Sequence, residues 1–102
     1  MNQQQGFEAL SQAERLLAEA EQNPAAARAA AQAALRSLLF EWGETPRAES
    51  VVGLVDQAAE VDESLKELRA EAMVLDRFNP GPDAGERAKI FVDAARARLV
   101  NI

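Results

Sequence analysis

Nearly every segment of this 102-residue chain repeats its apolar residues three and four positions apart. That spacing lines side chains along one face of an α-helix and cannot line one face of a strand. Leu10, Ala13, Leu17 and Ala20 recur in this way and predict a first helix over about residues 6–22, with Phe7 extending the stripe. Residues 1–5 carry no such pattern and are expected to be disordered.

Proline marks three breaks in the pattern. Asn23-Pro24 has the form of a helix start, with Asn able to cap free amides and Pro fixed for the first helical position. The helix that follows is expected to reach Trp42, with Ala27, Ala31, Ala34, Leu35, Leu38 and Trp42 on one face, and Gly43 is placed as its left-handed stop. Thr45-Pro46 reads as a second start, leading into a short helix with Val51, Leu54, Val55 and Ala58 inward. Val61, Leu65, Leu68, Ala72 and Leu75 then predict a fourth helix ending near Phe78, with Asp62 able to serve as its cap if the helix restarts there. Asn79-Pro80-Gly81-Pro82 cannot continue a helix. The D-x-x-E pair Asp83 and Glu86 opens the last one, with Ala88, Phe91, Ala95, Leu99 and Ile102 inward.

One all-α domain spanning residues 1–102 is therefore expected, an up-and-down four-helix bundle with one extra short helix between its second and fourth elements. Alanine supplies 22 residues and adds little buried area, so the core rests on Leu, Val, Ile, Phe and the single Trp. A core this thin invites a second subunit, and a homodimer is expected. Phe40 and Trp42, two residues apart on one helix, point in directions differing by roughly 200°. One of them is expected to face outward as an interface anchor.

Histidine and cysteine are both absent. The chain thereby lacks the usual proton shuttle, the softest nucleophile and the preferred transition-metal ligands. Recognition without catalysis is the expected role, with no catalytic residue, no metal site and no cofactor. A net charge of -6 repels extended nucleic acid, although nine of the eleven basic residues are Arg and a local site for one nucleotide stays open. No leader-like N-terminus and no run of about 18 apolar residues is present, which fits a cytoplasmic protein without a membrane span. Glu60, Glu63, Glu67 and Glu71 fall at helical spacing, either as a solvated face or, in a third and hydrolytic reading, as a Mg site.

The run Ala-Gln-Ala-Ala-Leu-Arg-Ser-Leu-Leu-Phe-Glu-Trp-Gly-Glu-Thr-Pro-Arg at 31–47 ends in Gly-x-x-Pro. It is followed by Ser-Val-Val-Gly-Leu-Val at 50–55, by Leu75, Asp76 and Phe78, and by Phe91, Ala94, Ala95 and Leu99. Over about residues 7–100 this order resembles the HEPN family of prokaryotic nucleotide-binding helical bundles. The family's ribonucleases are marked by an Arg followed by His, which this chain cannot supply, so the resemblance implies a non-catalytic branch. It further implies a dimer that acts beside a small nucleotidyltransferase as its substrate-binding partner, or as half of a toxin and antitoxin pair. Arg47 and Arg77, with Asp76 and Phe78 at the matching bundle end, are the residues expected to flank a nucleotide phosphate at the start of the short helix. The alternative is a structural module that binds another protein through Phe40 or Trp42 and takes no nucleotide.

Overall fold

Three long helices carry the molecule. The structure is a computed structural model that describes residues 2–77 and 81–100, with the side chains of 6–77 and 81–99. Helix α1 spans Asn2–Glu19, α2 Pro24–Glu41 and α5 Ala84–Val100, and each packs on the other two. Between α2 and α5 lie α3 (Val51–Ala59), a 3-10 helix (Glu63–Leu68) and α4 (Arg69–Leu75). Every regular element among the described residues is helical.

Helix α2 starts as expected, with Asn23 accepting from the Ala25 amide at 3.1 Å and Pro24 in the first position. It stops at Gly43, whose φ of 76° lets the chain reverse. The Gly43 and Glu44 amides donate back to the Phe40 and Leu39 carbonyls at 3.1 and 2.8 Å, closing the last turn. Alanine makes α2 the centre of the molecule. Ala26, Ala27, Ala30, Ala31, Ala33 and Ala34 are all buried, so neighbours can approach on several sides of one helix. Leu35, Leu38 and Leu39 add bulk at its second half, where Phe91, Leu54, Leu65 and Leu75 complete the core.

Several expectations shift. Helix α1 begins at Asn2, so the backbone of residues 2–5 forms its first turn, where a disordered lead was expected. The glutamines there favour helix, and lengthening a helix already formed adds a bond for each residue ordered. Phe7 does not extend the buried stripe and is 55% exposed, while Leu10, Ala13 and Ala20 are buried. Ile102 and Phe78 lie outside the described residues.

The fourth long helix is divided. Asp62 caps it as expected, but the next turns are 3-10 and become α-helical only at Arg69. Leu65, Ala72 and Leu75 are buried while Val61 is half exposed. A 3-10 turn advances about 2.0 Å per residue against 1.5 Å in an α-helix, so the change of winding re-aims the stripe part-way along.

Candidate functional site

The start of α3 is a heavily bonded polar point. Residues 44–50 cross from α2 as irregular chain, and α3 begins at Val51, not at Thr45-Pro46. Pro46 restricts its own φ but supplies no cap, whereas Ser50 does: its Oγ accepts from the Gly53 amide at 2.9 Å. The two remaining amides of the first turn, on Val51 and Val52, both donate to Asp76 at the end of α4, at 2.9 Å each. Arg28 of α2 donates its Nε to the same carboxylate at 3.1 Å. One side chain thus joins α2, α3 and α4.

Free amides at a helix start, with the positive end of the helix dipole, make an anion site. Here the anion is the chain's own carboxylate. Asp76, expected beside a bound phosphate, occupies the place that phosphate would take.

The crossing segment is held just as closely. Gln57, buried at 5% exposure, accepts from the Arg47 amide at 2.8 Å and donates to the Thr45 carbonyl at 2.8 Å. Gln32 donates to the Glu49 carbonyl at 2.5 Å. Gly53 is required by this approach, because a Cβ there would stand 2.6 Å from the Ala48 Cβ and 2.9 Å from Ser50 Oγ.

Of the residues expected around a ligand, Arg47 directs its side chain away from Asp76 and Arg77. Arg47 turns its guanidinium to Glu60 at 2.6 Å, at the far end of α3 from Asp76, about 13 Å away along a nine-residue rise. The open depression beside it is also lined by Asp56 and Glu60, whose charge opposes an anion. Arg77 follows Asp76 at the end of α4 and is exposed. Phe78 lies outside the described residues.

Phe40 and Trp42 do not divide into one inward and one outward residue: both are half-buried. Trp42 packs against the core, and Phe40 lies against the side of α1 that carries Glu8, Gln12 and Arg15. The glutamate row does not form a site. Glu60 pairs with Arg47, Glu63 with Lys66 at 3.5 Å and Glu71 with Arg87, and these glutamates lie at the end of α3, in the 3-10 helix and in α4 respectively. Among the described residues no three Asp, Glu, His or Cys side chains converge as metal ligands.

A second polar cluster ties the 3-10 helix to α5. Asp62 accepts from the Ser64 hydroxyl at 2.6 Å and from Arg98 Nε at 2.7 Å, and Arg98 Nη2 also reaches Ser64 Oγ at 2.9 Å. The Ser64 and Arg98 hydrogen bonds hold the Asp62 carboxyl below its ordinary pKa.

Sequence reasoning misses Arg28, Ser50 and Gln57. Ser50 carried a readable signal, a serine directly before Val-Val-Gly-Leu-Val. Arg28 and Gln57 carried none, since their partners lie 48 and 10–12 residues away. No family model, curated protein or solved structure matches this chain.

Proposed function

We propose that this chain is a non-catalytic recognition subunit whose target is another protein. The observation that carries the reading is the closure of the α3 start by Asp76 and Ser50, which leaves no first-turn amide of that helix for a nucleotide phosphate. Arg47, the other expected phosphate contact, sits among carboxylates. A non-catalytic HEPN-like bundle working in the cytoplasm beside a nucleotidyltransferase-type partner would have such a role. The resemblance at 31–47 and 75–99 supports that assignment as part of the same proposal. An up-and-down four-helix arrangement is part of the same proposal, and the packing of α4 on α5 is consistent with it. Homodimerisation through the half-buried Phe40 and Trp42 belongs to it as well. No described helix is long and apolar enough to cross a membrane.

Thermal unfolding with a panel of nucleotides and divalent ions tests the proposal. No nucleotide-specific rise in Tm is expected, because a ligand stabilises only what it binds. A saturable rise that disappears in Arg47→Ala would overturn it in favour of a nucleotide site. A rise that needs Mg would favour the hydrolytic reading. Size exclusion over a range of concentrations tests the dimer, which Phe40→Ala is expected to weaken.

A further inference from the structure

Helices α1 and α5 leave an open furrow between the C-terminal half of the first and the N-terminal half of the second. Its floor is apolar and built from small groups, with Leu17, Ala18 and Ala20 on one side and Pro82 and Gly85 on the other. The two helices meet closely at the bottom, where a Cβ on Gly85 would come into ordinary contact with the Ala20 Cβ at 3.8 Å. Small residues of this kind let another backbone come close.

The charges along the edges are unevenly matched. Glu14 bridges the furrow to Arg96 at 2.9 Å and closes one end, and Lys89 is taken by Asp93 at 2.9 Å. Glu21 and Glu86 remain, facing the furrow with no ion-pair partner among the described residues. Glu86 suits the first turn of α5, where the helix dipole favours an acid. Glu21 is the unfavourable one. It follows the C-terminal end of α1, where the dipole is negative and the last turn holds no basic residue. A cation supplied from outside would relieve that end, and an apolar body would cover the floor.

We propose that the α1–α5 furrow docks a basic amphipathic helix of a partner protein, its apolar stripe on Leu17, Ala18 and Gly85 and its Lys or Arg side chains on Glu21 and Glu86. This is the helix-in-groove mode, in which anchors three and four apart fill a trough between two helices. The inference rests on the reading of the chain as a protein-binding subunit and names the surface and the partner's chemistry. It concerns a different side of α1 from the one against which Phe40 lies.

The test uses the full chain, labelled with 15N, and a synthetic amphipathic helix of Leu and Lys, with a Leu and Glu version and a scrambled Leu and Lys version as controls. The Leu and Lys helix is expected to bind saturably and to move the amides of Leu17, Ala18, Gly85 and Lys89, while the two controls do not. The double variant Glu21→Lys with Glu86→Lys is expected to weaken it about tenfold or more. Glu44→Lys with Glu67→Lys changes the net charge equally on exposed residues elsewhere and should leave the affinity as it was. Absence of binding, equal weakening by both double variants, or shifts centred on other residues would each overturn the proposal. Shifts centred on Phe40 would overturn the furrow while keeping the protein-binding reading; a nucleotide-specific rise in Tm would remove that reading itself.

Discussion

Replacing Asp76 should damage the fold far more than its place at a helix end suggests. Its carboxylate is only 19% exposed and accepts from two backbone amides and one guanidinium. Hydrogen bonds to a charged group contribute roughly 1.5–3 kcal/mol each, and loss of a capping side chain costs about 0.5–2 kcal/mol. The Arg28 contact counts for less, because that side chain is 42% exposed and water can take over. Val51 is fully buried, so in Asp76→Ala its amide loses its partner with little access to solvent. The expected loss is about 2–4 kcal/mol for Asp76→Ala and about half that for Asp76→Asn, which keeps one acceptor oxygen but not the charge. Arg28→Ala alone should cost at most ~1 kcal/mol. Urea unfolding of the three variants and of Asp76→Ala with Arg28→Ala gives the coupling directly. A loss below about 0.5 kcal/mol for Asp76→Ala is what an ordinary surface substitution produces, and it would refute the clamp.

Other substitutions probe the remaining constraints. Gly53→Ala raises helix propensity but puts a Cβ 2.6 Å from that of Ala48, so unfolding should show a loss of about 1–3 kcal/mol; a gain would mean that the 44–50 segment is not held against α3. Ala30→Leu forces a large side chain into a fully buried site on α2 and should lower stability by a similar amount, measured by the same transition. Because the folded pKa of Asp62 is depressed by Ser64 and Arg98, the unfolded chain binds its proton first as pH falls. The stabilisation is then complete above the unfolded value near 3.9 and is lost as pH drops through the folded one. Asp62→Asn should flatten that acid limb in a pH series of thermal melts, and an unchanged limb would exclude Asp62 as a contributor.

Local chemistry was readable where a few neighbouring residues decide the outcome. Asn23-Pro24 and Gly43 act within a single turn, so the limits of α2 follow from residue type. Val51, Leu54, Val55 and Ala58 are buried as their spacing requires. Thr45-Pro46 misplaces the start of α3 because its proline gives a strong signal, while Ser50, the residue that caps, gives a weak one. The division of the fourth helix was invisible, since Leu65, Leu68, Ala72 and Leu75 hold their spacing through the change from 3-10 to α winding. Asp76 stands out in the sequence, but its task does not. Whether a carboxylate near a helix start awaits an anion or substitutes for one depends on a contact 24–25 residues away along the chain.

Closure of the α3 start is what separates a protein-binding chain from a nucleotide-binding one. A 15N spectrum of the protein titrated with ATP, without metal and then with Mg, reports on it at the Val51, Val52 and Gly53 amides. These three resonances are expected to stay in place up to millimolar ATP. Saturable shifts centred on them would show that a phosphate displaces Asp76, and the chain would then be a nucleotide-binding protein.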